Sequence, residues 1–227
     1  MRRFYEVFAL SLLACLRLSG APVCISGNSL ASYEALGAAG CYVGPLLVDN
    51  FEFSVVSSGG GATPAADTSI EVFPYSLGDI YGLAFASSGF RVSSGQSVSY
   101  LIGYTWDSLD IRNASDILDP GPVDILTNLC AGSAFSGTSC SGTPLSLEVH
   151  EPFDLFDSVP LPPAVTVLGV LDNISLTGPA RFDSVENNVT VVPEPAAGAL
   201  AAGGLLVWMA LGGRRRKAAQ VGFESRP

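Results

Sequence analysis

Apolar and polar residues alternate with a period of two in several stretches of the chain. Phe51-Glu52-Phe53-Ser54-Val55, Ile70-Glu71-Val72-Phe73 and Leu145-Ser146-Leu147-Glu148-Val149-His150 are the clearest. Successive side chains of a strand point to opposite faces, so this pattern predicts strands with one buried side. Leu46-Leu47-Val48, Ile80 to Phe85, Val98 to Trp106, Val165 to Val170, Ile174-Ser175-Leu176 and Val189 to Val192 are further candidates, separated by Gly, Pro, Ser or Asp clusters. Gly59-Gly60-Gly61 reads as a hairpin tip. Only Leu30 to Ala39 offers a pattern for an amphipathic helix. The expectation is a mainly β fold, an antiparallel β-sandwich of jelly-roll type, over residues 22–188.

Both ends depart from this pattern. Met1-Arg2-Arg3 is a short basic segment, Phe4 to Leu16 is apolar apart from Glu6 and Ser11, and small residues follow at Ser19-Gly20-Ala21. That is the layout of a secretory signal peptide over residues 1–21. Leu12-Leu13-Ala14-Cys15 also resembles a lipobox, in which Cys15 would be acylated; the alternative is that Cys15 is an apolar residue of the signal core.

At the other end, residues 189–195 form an extended linker ending in Pro193-Glu194-Pro195. Residues 196–213 follow without a charge, and a basic tail over 214–227 opens with Arg214-Arg215-Arg216-Lys217. Eighteen helical residues at about 1.5 Å each reach roughly 27 Å, just enough for a bilayer core of about 30 Å. The basic cluster keeps the cytoplasmic side, which places the domain before Pro195 outside.

Val192-Pro193-Glu194-Pro195, the apolar run and the Arg214 to Lys217 cluster together resemble the PEP-CTERM sorting tail of Gram-negative bacteria. The resemblance covers about the last thirty-five residues. It implies that Pro193, Glu194 and Pro195 are read by an exosortase, a membrane-bound processing enzyme. Two prolines suit that role, because they hold an extended segment free of internal hydrogen bonds. The stretch Ser29 to Gly37 between Cys24 and Cys41 also looks like the start of uncharacterised members of this group, which names no activity. The implied route is export, anchoring in the inner membrane with the domain in the periplasm, and then the cell surface or extracellular matrix.

Charge sharpens the picture. The chain has 21 acidic and 11 basic residues, but between residues 22 and 195 only Arg91, Arg112 and Arg181 oppose nineteen acids, a formal charge of −16 with no lysine. So negative a surface repels phosphate and excludes nucleic acid as a partner. Extracellular polysaccharide and divalent cations remain as partners for an exported face. If Cys15 leaves with the signal peptide, four cysteines remain, and an even number in an exported chain favours disulfides. Three pairings are open. Cys24 with Cys41 and Cys130 with Cys140 are preferred, because each closes a local loop flanked by Gly and Ser.

Candidate chemistry is sparse. His150 is the single histidine, and no Gly-x-Ser-x-Gly elbow accompanies it. Glu148, Glu151, Asp154 and Asp157 are close in sequence, as a glycosidase pair would need, but sequence proximity makes no cleft. Asp107, Asp110, Asp116 and Asp119, with Asp124, read as an acidic loop that is a candidate Ca²⁺ site or a solvated turn. Asp49-Asn50-Phe51 and Asp172-Asn173-Ile174 share a short pattern that does not amount to a repeat. The leading expectation is a non-catalytic cell-surface or matrix protein. A carbohydrate- or calcium-binding module is the alternative, and a secreted hydrolase the third reading.

Overall fold

A computed structural model describes residues 20–118, 123–150 and 154–192. The sorting motif Pro193-Glu194-Pro195, the apolar run 196–213, the Arg214 to Lys217 cluster, Cys15, Asp119 and Glu151 lie outside the described residues. Among those described, no helix is long and apolar enough to cross a membrane.

In chain order the elements are β1 (Asn28–Ser29), α1 (Leu30–Glu34), β2 (Cys41–Val43), β3 (Leu46–Gly59), β4 (Glu71–Leu77), β5 (Ile80–Ala86) and β6 (Arg91–Val92). They continue as β7 (Ser97–Leu118), β8 (Asp124–Ala131), β9 (Phe135–Ser136), β10 (Ser139–Cys140), β11 (Thr143–His150), β12 (Phe156–Thr177), β13 (Ala180–Arg181) and β14 (Ser184–Val191). The fold is mainly antiparallel β, as the alternation predicts. The expected helix over Leu30 to Ala39 is shorter: α1 has five residues, capped by Ser29, whose hydroxyl accepts from the Ser32 N–H, and a 3₁₀ turn follows at Gly37–Ala39.

Ten strands form one antiparallel sheet, and its two 22-residue strands, β7 and β12, explain how it curls. The first part of β7, Ser97 to Asp107, pairs with β3 on one side and with Val167 to Thr177 of β12 on the other. Its second part, Ile111 to Leu118, pairs with β14 and with Phe156 to Val165 of β12. Register shifts at Pro160/Val165 and Val165/Val167 separate the parts, which is where bulges let a long strand bend. One half of the sheet therefore holds β4, β5, β14 and the far ends of β7 and β12. The other holds β2, β3, β8, β11 and their remaining lengths. The halves face each other: Phe85 of β5 packs on Tyr104 of β7 at 5.7 Å, and Asn187 of β14 reaches Asp172 of β12 at 2.5 Å.

The alternation dictates what lies between them. Val98, Tyr100, Ile102, Tyr104 and Trp106 of β7 are buried on one side, as are Val170, Ile174 and Leu176 of β12. Phe90 and Phe182 stack with ring centroids 4.6 Å apart beside Tyr100, closing the end of the core. Each such side chain contributes about 1.5–3 kcal/mol on burial. Both preferred cysteine pairs are bonded: Cys24–Cys41 ties the segment before β1 to β2, and Cys130–Cys140 ties β8 to the β9–β10 hairpin.

Candidate functional site

Of the acidic residues expected in one loop, Asp107, Asp110 and Asp116 lie on strand β7 instead, and their environments differ. Asp107 is half-buried beside Asp49, and burial raises its carboxyl pKa. Asp49 is itself pushed up to about 6 by burial and by the Asp107 charge, while the Asn50 amide donates to it at 2.8 Å. Asp110 pairs with Arg112 at 2.6 Å. Asp116 is buried in the core, and Asp124 is exposed at the start of β8. Among the described residues, no group of three or more His, Cys, Asp or Glu is arranged to hold a metal. His150 sits at the end of β11 with Nε2 3.9 Å from Asp154, and Asp157 accepts the Glu148 N–H at 2.9 Å.

Two features stand out. The first is an open groove of about 480 Å³ on the outer face of the half that carries β8. Leu101, Leu171, Asn173 and Asn128 occupy strand positions out of phase with the buried ones. They are neighbours by register: Asn173 opposite Leu101 and Leu126, Leu171 opposite Asn128. The β9–β10 hairpin folds over this face as a flap, and Phe135, Thr138 and Cys140 supply the opposing wall. The flap is held by the Cys130–Cys140 bond and by two backbone hydrogen bonds, Gly169 N–H to Ser133 O at 3.1 Å and Gly132 N–H to Val167 O at 2.8 Å. Gly169 permits this approach, because a Cβ there would stand 2.9 Å from the Phe135 backbone nitrogen.

The second is a polar cluster inside the core. Asp116 and Asn187 are direct cross-strand partners in β7 and β14, and Asp172 and Thr127 are partners in β12 and β8. Directly opposed residues put their side chains on one face about 5 Å apart, so each pair faces the interior from one half of the sheet. The Thr127 hydroxyl donates to Asp172 Oδ1 at 2.7 Å, and the Asn187 amide donates to Oδ2 at 2.5 Å. The Tyr104 hydroxyl neighbours the Asn187 side chain and the Trp106 indole, within electrostatic reach of Asp172 and Asp116. Burial holds the Asp172 carboxyl up at about 6 against the hydrogen bonds from Thr127 and Asn187. Burial, then the Asp172 charge, raises Asp116 well above the ordinary carboxylate range. The signal for Asp172 was in the sequence: it keeps the phase of Val170, Ile174 and Leu176, and so points inward.

No protein-family model matches the chain, and no curated protein does. Among solved structures the chain is similar to the carbohydrate-binding module TmCBM61, determined in complex with beta-1,4-galactotriose. The TM-score is 0.33 at 10% identity, over 63% of this chain and 88% of that one. It is also similar to CsCBM6-3 from Clostridium stercorarium, determined in complex with cellobiose, with a TM-score of 0.22 at 17% identity over 60% and 91% of the two chains.

Proposed function

We propose that this chain is a non-catalytic exported envelope protein whose β domain binds a neutral polysaccharide, and that its PEP-CTERM-like tail directs sorting by an exosortase. On this reading the curled sheet is a jelly-roll-like sandwich with a ligand groove on one outer face. The observation that carries the binding half is the chemistry of that groove. In a segment of formal charge −16, the groove is lined by amides, a hydroxyl, an aromatic ring and aliphatic side chains, with no ionisable group among them. An uncharged lining selects an uncharged ligand, and amides beside an aromatic edge suit sugar hydroxyls and ring faces. The export half rests on the residues of the two ends. Its support from the domain is the pair of disulfides, which persist in oxidising compartments.

Affinity electrophoresis through gels containing neutral polysaccharides tests the binding half. At least one polysaccharide should retard the protein, and Asn128→Ala with Asn173→Ala should weaken that retardation at least about tenfold, the worth of one or two hydrogen bonds. Retardation by none of them, or retardation unchanged in the double variant, refutes the groove assignment. For the tail, replacing Pro193, Glu194 and Pro195 by alanine should change the size and location of the mature protein. An unchanged product counts against processing.

A further inference from the structure

The buried polar cluster poses a charge problem that the side chains around it do not solve. Asp172 is 0% exposed and Asp116 is 1% exposed. Residues 22–192 contain no lysine and three arginines: Arg112 pairs with Asp110, Arg181 pairs with Asp183 at 2.8 Å, and Arg91 is exposed. Two carboxylates in a protein interior without a compensating charge are costly, because ions lose their hydration there.

The remaining atoms show what would compensate. Asp116 Oδ2 and Asn187 Oδ1, on directly opposed residues, are buried acceptors without a close donor of their own, since the Thr127 hydroxyl that also nears Asp116 is committed to Asp172 Oδ1. Across the core lie the Asp172 carboxylate and the Thr127 hydroxyl, tied to that pair through Asn187. The Tyr104 hydroxyl, buried beside the Asn187 side chain and the Trp106 indole, is a further oxygen at the same place. Every ligand-capable atom of this group is an oxygen, and two of the residues are acidic. Oxygen-only sets with net negative charge suit a hard cation that accepts six to eight ligands, whereas zinc takes sulfur and nitrogen.

We propose that Asp116, Asp172, Asn187 and Thr127, with Tyr104, form a structural Ca²⁺ site between the two halves of the sheet. It differs from the acidic stretch suggested by sequence, of which only Asp116 takes part. The ion would cross-link β7, β8, β12 and β14, four strands from both halves. Because the site is enclosed, the ion enters as the chain folds.

The test uses the full chain, unfolded and refolded either in EDTA or in millimolar Ca²⁺. A hundredfold excess of Ca²⁺ over its Kd should raise Tm by roughly 5–10 °C in a domain of this size. Elemental analysis after dialysis should find about one calcium per chain. The Ca²⁺ shift should fall below about 1 °C in Asp172→Asn. Where that variant fails to fold, Tb³⁺ substituted for Ca²⁺ provides the second readout, since Trp106 abuts Tyr104 with ring centroids 6.1 Å apart and should sensitise its emission. Trp106→Phe should remove that emission while keeping the Ca²⁺ shift. Refolded wild-type protein with no bound calcium and equal Tm in EDTA and Ca²⁺ overturns the site and leaves the carboxylates neutralised by protons. A Ca²⁺ shift that survives undiminished in both Asp116→Asn and Asp172→Asn also overturns it.

Discussion

Gly169 is the point at which the flap and the sheet touch, and adding one carbon there tests how the groove is built. A Cβ at Gly169 would lie 2.9 Å from both the nitrogen and Cδ2 of Phe135 and 3.0 Å from the Ser133 carbonyl oxygen. Two of these three atoms are backbone, so a side-chain rotation cannot relieve the overlap and the flap must lift. Overpacking of this kind costs about 1–3 kcal/mol. Losing the Gly169–Ser133 and Gly132–Val167 hydrogen bonds adds about 1 kcal/mol each. Against this, alanine is favoured over glycine within a strand by roughly 0.5–1 kcal/mol. The net expectation for Gly169→Ala is a loss of about 2–4.5 kcal/mol, or roughly 4–18 °C in Tm. Urea unfolding with the disulfides intact measures it, and an unchanged m-value shows that the same surface is exposed. The same variant should lose polysaccharide retardation in parallel, because the wall carrying Phe135 has moved. Full stability together with full retention would refute this account of the flap.

Two further predictions follow from the same geometry. Cys130→Ser with Cys140→Ser opens a loop whose ends are 10 residues apart in sequence and should cost about 3 kcal/mol by the chain-entropy estimate, read as a lower urea midpoint; an unchanged midpoint would mean that the flap is held without its disulfide. The pKa of Asp49, about 6 in the native state, exceeds its unfolded value of about 3.9, so between these pH values the unfolded chain releases a proton that the native protein keeps. This contribution to stability is complete below about pH 4, falls as pH rises through 6, and is level above that. Melting curves from pH 4 to 7 should therefore show a component that Asp49→Asn removes, and an identical slope in the variant would show that Asp49 does not titrate in this window.

The strands were legible wherever apolar residues alternate, because burial of one face is written locally every second residue. Val98 to Trp106 and Leu145 to His150 fall within β7 and β11 for that reason. The disulfide pairs were legible from loop length. The second half of β7 was not: Asp107, Asp110 and Asp116 are poor strand formers, and they read as part of an acidic loop. Pairing with β12 and β14 overrides that preference and sends Asp110 to Arg112 while Asp116 goes into the core. β8 was missed with it, and so was Asn128.

By itself, then, the sequence determines a β-rich, strongly acidic domain with local disulfide loops, together with the motifs at its ends. These are properties of neighbouring residues and of composition. Which acids meet was decided by the tertiary structure, since Asp116 and Asp172 belong to different strands and face each other only after the sheet curls. The groove has the same origin: Asn128, Asn173 and Phe135 converge because strand pairing sets their register and a disulfide folds the flap across them. Alternation specifies which face of a strand is buried, but long-range pairing specifies what that face is buried against.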